Sequence, residues 1–480
     1  MPNGTGADSF RGSIIRVSQS RIFPQQRTAK RTSVPLSVAD CSVVRFTTAA
    51  AVWYFDAPEG ERATKALSPD QLRLSLETTL SCYPQLVGQL HWATHVHNGN
   101  HTQRAGRLVL TYVAKSPVPL RALVPSASER RRDGYWDATQ LASDALLHRH
   151  LYRSHLEEHA GLPGLMIQIT TFACGADAQT VARFSHDWAA TNRAMVLGLA
   201  LPELLKKSRA LPMHRYDWWA TTDDSTPSVP APLKAAAEVP AAAPIPWSEW
   251  NVQAPVSHYI IHFTPGEMQR MWKAAQPAAS TQGHTVSRHD ALLAHVWALA
   301  NRARGLAEDD QPVHMNVTLG LRDRVSPVLP DSFLGSPIIL GRLEVAAGIR
   351  SVVNLFDTET VAALLHDMAH DLALARIWHA FLGRRNFIVT SWVRLGLYDA
   401  DFGTGTRARY VEAVMPSCDG CLQVMEAVPV DHEYAGAGDD EEGGRRKRWY
   451  DDGVDVSLHL AADAMEKLMK DPLLRKYRVP

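Results

Sequence analysis

From Thr221 to Pro246 the chain reads TTDDSTPSVPAPLKAAAEVPAAAPIP, a run of Pro and Ala with neither the period of an amphipathic helix nor the alternation of a strand. A stretch of this composition is extended and semi-stiff. It can join two bodies but cannot bury a face of its own, so it divides the 480 residues into two blocks, each long enough for its own core. The expected organisation is a first domain over residues 1–220, a crossover over 221–250 and a second domain over 251–480. A second break, AGDDEEGGRRK from Ala437 to Lys447, sets an acidic cluster against a basic one and reads as a solvated loop.

Both blocks mix strand and helix signals. In the first, Ser68 and Pro69 supply an N-cap and first-turn pair for a helix with Leu72, Leu76 and Leu80 on one face, stopped at Pro84. Met166–Phe172 (MIQITTF) and Val181–His186 (VARFSH) are short β-branched and aromatic runs. They read as two adjacent strands, the second ending at His186, with a helical pattern resuming from Asn192. In the second block, Ser287 caps a helix with Leu292, Leu293, Val296, Trp297 and Ala300 on one face. Val313–Leu319 and Pro337–Leu340 read as strands. Val454, Val456, Leu458 and Leu460 alternate as a half-buried strand, followed by a short helix through Met465, Leu468 and Met469. The fold class is mixed α/β in two domains of similar size.

Composition narrows the partners. Lys plus Arg and Asp plus Glu both number 50, so no basic field exists to hold nucleic acid or anionic lipid. No apolar run approaches the roughly 20 residues that span a bilayer. The first thirty residues lack an apolar h-region and include Asp8. The expectation is a cytoplasmic monomer with no membrane or nucleic-acid partner. Five scattered cysteines make no disulfide framework, and the one CxxC, Cys418 with Cys421, has no second pair of ligands to complete a zinc site. It reads as an Asp-Gly turn between two thiols, and no metal is expected.

Five segments carry the chemistry. They are YPQLVGQL (Tyr83–Leu90), VARFSHDWAATNRAMV (Val181–Val196), SRHDALLAHVWALANRARGL (Ser287–Leu306), LRDRVSPVLPDSFLGSPI (Leu321–Ile338) and TSWVRLGLYDADFGTG (Thr390–Gly405). In order and spacing they resemble the motifs of the BAHD, or HxxxD, acyltransferases. The last segment is similar to that family's DFGWG signature, and the second to its catalytic histidine motif, with His186 in the histidine position. Three positions depart: Ala190 stands for the HxxxD aspartate, Thr404 for the DFGWG tryptophan, and Gly320 for the first Asp of DxRxR.

The resemblance implies two chloramphenicol acetyltransferase-like domains, each a mixed sheet flanked by helices, joined by a long crossover. It implies acyl transfer from a coenzyme A thioester to a hydroxyl or amine of a small specialised metabolite, with acyl-CoA as co-substrate and no permanently bound cofactor. A histidine near its ordinary pKa suits the base of that reaction, and His186 is the candidate. Thr390 and Trp392 match family positions beside the acceptor, where a donor could meet the developing oxyanion. Asp401 is expected to pair with Arg322, while Gly403 and Gly405 permit a tight turn. Ser287 and Arg288, at the start of a helix, are the candidates for the donor's anionic end.

If 181–186 is a strand, Asp187 and His186 point to opposite sides and Asp187 cannot serve the histidine. An Asp restored at 190 would be paired, with turnover level or raised, if an arginine partner stands nearby; without one, the favoured expectation, it would bury an unpaired charge and destabilise by several kcal/mol. Two other functions compete with acyl transfer. One is cyclisation or release of a carrier-bound acyl chain, as in the related condensation domains, although Ser185 stands where those carry a second histidine. The other is a non-catalytic relative, consistent with Ala190 and Thr404.

Overall fold

The computed structural model describes residues 20–22, 24–25, 32–43, 49–83, 86, 88–92, 108–112, 116–118, 135–137, 165–168, 171–174, 178–202, 254–281, 285–329, 333–343, 349–370, 383–415, 417–430 and 448–479. The Pro/Ala stretch and the acidic-basic loop lie outside these residues.

Ser68 caps the helix Pro69–Leu80, accepting from the Gln71 N–H, and Leu72, Leu76 and Leu80 are buried along it. A proline in the first turn gives up only an N–H that has no intrahelical partner. Ser287 likewise caps the helix Arg288–Ala303 through a reciprocal box with Asp290, which Arg350 grips in turn (2.7 Å). Both starts were legible because a cap is a local arrangement of three or four residues.

The histidine segment is not a strand. Ala178–Leu197 forms one 20-residue helix, which replaces the expected strand and the start of the expected later helix. A six-residue window through VARFSH shows Val and aromatics but too few positions to fix a period. Over the longer run Val181, Phe184, Ser185, Trp188, Ala189 and Asn192 are buried at three- and four-residue spacing, which only a helix places on one face. The helix stops at Gly198, whose φ of 67° is left-handed. Just before it, the expected single strand 166–172 is two, Leu165–Gln168 and Thr171–Cys174, paired antiparallel.

The largest sheet has seven strands. Call Tyr135–Asp137 β1, Val256–Phe263 β2, His314–Gly320 β3, Ile338–Leu343 β4, Asn386–Ser391 β5, Cys421–Glu426 β6 and Val454–Ala461 β7. Their spatial order is β4-β3-β5-β6-β7-β2-β1, parallel at the β3/β5 and β5/β6 pairs and antiparallel elsewhere. One face, with Ile261, Val317, Val389, Val424 and Val456, packs on the helices Pro265–Thr281, Arg288–Ala303 and Ala462–Lys470.

The other face is polar and still buried: Gln423, Ser457, His258, His459 and Asn316 are nearly inaccessible. Strand β7 is therefore buried on both sides, not half-buried. A second sheet covers that polar face in part. Its strand Tyr410–Val414, from the second half, pairs with Ala49–Tyr54 from the first. Glu412 on that strand lies 3.7 Å from His258, which also meets Ser457 Oγ at 2.7 Å, and burial pushes the Glu412 carboxyl up to about 8. The halves are thus interlocked, because β1 of the first half also edges the seven-stranded sheet. This is a mixed α/β fold with two domains.

Among the described residues no helix is long and apolar enough to cross a membrane, and no cluster of His, Cys, Asp or Glu has the makings of a metal site. Cys418 and Cys421 are free thiols flanking the Asp419-Gly420 turn, and burial raises the pKa of both. Asp419 pairs with the buried Arg304 at 2.7 Å.

Candidate functional site

His186 lies on the less buried stripe of its helix, with Arg183, Ala190 and Arg193 at helical spacing. Its Nε2 meets the Leu395 carbonyl at 3.2 Å, in the turn that follows β5. A carbonyl only accepts, so Nε2 carries the hydrogen and the lone pair able to take a proton is on Nδ1 in this arrangement. The turn is built around Gly396, in the left-handed region (φ 61°), and Arg394 beside it has φ 72°. A Cβ at Gly396 would stand 3.0 Å from Asp399 Oδ2, crowding it, and 3.7 Å from His186 Nε2, in ordinary contact with it. Glu426 accepts from the Gly396 N–H (3.5 Å) and steadies the turn.

Gly396 is also part of the wall of an open cleft of about 580 Å³. Arg394, Arg407, Arg448, Trp449, Tyr450 and Asp452 line it further. Tyr450 stacks under the Arg288 guanidinium (4.6 Å), which also covers Trp272 (4.8 Å) and donates to Gln269. His289 meets Ser391 Oγ at 3.1 Å and lies edge-on to Trp449, where desolvation lowers its pKa to about 4 and leaves it neutral at pH 7.

Of the sequence candidates, the turn after Thr390-Ser391-Trp392 lines this cleft through Arg394 and Gly396, while His186 and Arg288 lie behind its wall, His186 against Leu395 and Arg288 against Tyr450. Trp392 is buried, and with the Gln423 amide oriented to satisfy both neighbours its indole N–H donates to Gln423 (3.0 Å) while Gln423 donates to the Ala413 carbonyl. That indole N–H is already used inside the protein. Thr390 shares a strand face with Trp392 and is only half-buried. Ser287 is occupied as a cap, accepting from Asp290 N–H and Arg350.

The expected Asp401–Arg322 pair does not form. Asp401 pairs with Arg193 of the histidine helix at 3.0 Å and accepts from the Gly403 N–H, whereas Arg322 donates to the Phe333 carbonyl and to Thr180 Oγ1 at the start of the same helix. The DFGTG turn presses on that helix: a Cβ at Gly403 (φ 89°) would come 3.2 Å from Arg193 Cα. Gly405 (φ 87°) also adopts the left-handed region. Both second-half motifs thus grip the histidine helix, one near each end. Sequence could have offered Arg193, which stands seven residues after His186 and so on its face of a helix, but only once the segment is read as helical.

The same correction applies to Asp187 and Ala190. Asp187 points inward and is nearly inaccessible. Ala190 is exposed, so an aspartate there meets water and, three residues on, Arg193. Ala190→Asp is therefore expected to change unfolding free energy by no more than about 0.5 kcal/mol, against the several kcal/mol expected of a buried charge. A chemical denaturation curve displaced by more than that contradicts this placement.

The Transferase family's sequence model matches residues 137–473. Acyltransferase AFT15-1 of Alternaria alternata is 26% identical over 514 aligned positions, which take in 88% of this chain and 90% of that protein. Hydroxycinnamoyltransferase 2 of Oryza sativa subsp. japonica is 28% identical, covering 57% of this chain and 67% of its own. Among solved structures, F. graminearum TRI101 complexed with coenzyme A and deoxynivalenol superposes with a TM-score of 0.66 at 15% identity, over 93% of this chain and 99% of that one. Vinorine synthase superposes at 0.54 with 15% identity, over 94% and 95%. With seven-tenths of its length inside the family model and the histidine and DFGTG segments meeting in the fold, the chain belongs to the Transferase family of BAHD acyltransferases, which use an acyl-CoA thioester as co-substrate.

Proposed function

We propose that this acyltransferase moves an acyl group from coenzyme A to a hydroxyl or amine of a small specialised metabolite, with His186 as the general base. The observation that carries the reading is the meeting of the His186 ring with the Leu395-Gly396 turn at the wall of the cleft. His186 takes the proton from the acceptor O–H or N–H as that atom attacks the thioester carbonyl carbon. The tetrahedral intermediate collapses, the C–S bond breaks, and the imidazolium returns the proton to the departing thiolate. The products are an ester or amide and free coenzyme A.

Thr390 is the proposed donor to the oxyanion. Trp392 supports it from the same strand face, since its own N–H is held by Gln423. Arg394 and Arg448 offer charge, and Trp449 and Tyr450 offer flat faces, for the anionic and planar parts of a nucleotide-bearing donor. Arg288 reaches this wall through its stack on Tyr450, and Ser287 fixes the helix that carries it. Residues 1–220 and 251–480 are the proposed domains, with the crossover between them.

The test is to incubate the protein with a panel of acyl-CoA donors and follow thiol release with and without candidate alcohols and amines. Release that depends on an acceptor is expected. Release that ignores every acceptor would make the protein a thioester hydrolase, and no release with any donor would remove the reading.

A further inference from the structure

A base that takes and returns a proton within one turnover needs a fixed ring. The described part of the histidine helix holds one carboxylate that can anchor its turn, and it belongs to the residue directly after the base. Asp187 is 3% exposed. It accepts a hydrogen bond from the Tyr83 hydroxyl and lies 3.4 Å from Arg183 Nε, one turn back on the same helix. Tyr83 is itself immobile: it is fully buried, with its ring edge-on to Phe184 at 5.1 Å. Two sequence segments far apart, YPQLVGQL and the histidine motif, are thereby tied at one carboxylate.

We propose that Asp187, held by Tyr83 and Arg183, is the positioning residue for His186, fixing the helical turn that presents the imidazole. The inference rests on His186 being the base.

Three observations support it. A carboxylate buried this deeply would not be kept beside an ordinary packing histidine without cost, because burial alone raises its pKa and only the Tyr83 and Arg183 contacts and the neighbouring His186 oppose that. Arg183 stands one turn before Asp187 on the same helix, so their 3.4 Å pair braces the turn that carries His186. Finally, His186 has no other partner that restrains the ring from its own helix; its one recorded bond is to the Leu395 carbonyl across the site. The groups facing the pair from other elements are Tyr83 on the Asp187 side. On the His186 side they are Asp399 across Gly396, with Glu426 and Arg394 around the same turn.

The experiment compares Asp187→Asn, Tyr83→Phe and His186→Ala with the wild-type full chain, measuring kcat, KM for donor and acceptor, and thermal unfolding. Asparagine keeps the shape of Asp187 and removes its charge. The expected result is a kcat about 10- to 100-fold lower with both KM values unchanged. Tyr83→Phe removes only a hydroxyl from a buried ring and should move kcat in the same direction by less. It carries the test alone if Asp187→Asn does not fold. An inactive His186→Ala beside variants at 187 and 83 that keep wild-type kcat, even with lowered melting temperature, overturns the positioning role and leaves the base in place. A His186→Ala protein with wild-type turnover overturns the base itself.

Discussion

His186→Ala should lower turnover by about 10²- to 10⁴-fold, the usual effect of removing a general base, while leaving the fold nearly untouched. The ring is half-buried and its one recorded hydrogen bond is to a carbonyl in the turn opposite, so truncation opens little space in the core. Alanine is a better helix former than histidine, which partly offsets the lost contact. The variant is therefore expected to be soluble and to unfold within about 1 kcal/mol of wild type. Initial rates of acceptor-dependent thiol release on matched amounts of folded protein give the comparison. Wild-type rates would mean that proton transfer occurs elsewhere, and the chemistry assigned to this helix would have to be abandoned.

Trp188→Ala has the largest expected effect on stability, about 3–5 kcal/mol. The indole is 3% exposed, sits in the core shared by Leu76, Leu80, Phe184 and Tyr398, and lies edge-on to Phe402 of the DFGTG turn at 5.0 Å. Its N–H donates to Ser75 Oγ at 2.9 Å, so truncation leaves a hydroxyl without its donor as well as a cavity. The Phe402 contact also fastens the histidine helix to the turn, as do Asn192 donating to the Phe402 carbonyl (2.7 Å) and Arg193 pairing with Asp401 (3.0 Å). Activity per folded molecule should consequently fall too, because a displacement of about 1 Å at the base is enough to slow transfer. Urea unfolding monitored by circular dichroism, with the slope unchanged and the midpoint lowered, is the expected observation. A loss below about 1 kcal/mol would show that the indole is not the wedge described.

The sequence alone determined the family, the class of fold, and the residues at which chemistry was sought. It could do so because caps, turn glycines and motif spacings are local: Ser68 and Ser287 mark their helices within a turn, and the DFGTG glycines mark theirs. Partner choice is not local. Asp401 had many arginines to choose from, and it took Arg193 because a helix, not a strand, brings that side chain to the turn. That helix is not legible in VARFSH because six residues hold fewer than two helical periods, and only the burial of Val181 through Asn192 against another element selects it. The same tertiary choice turned Ala190 outward, against the burial expected for an aspartate there, and kept Asp187 inward, away from the stripe that carries His186. Likewise, the polar residues of β7 read as a solvent face, yet they are buried because the strand Tyr410–Val414, paired with Ala49–Tyr54 of the first half, lies over part of that side of the sheet. What side chains meet across the fold was decided by packing between distant segments, because the free energy of a buried face depends on what covers it and not on its neighbours in sequence.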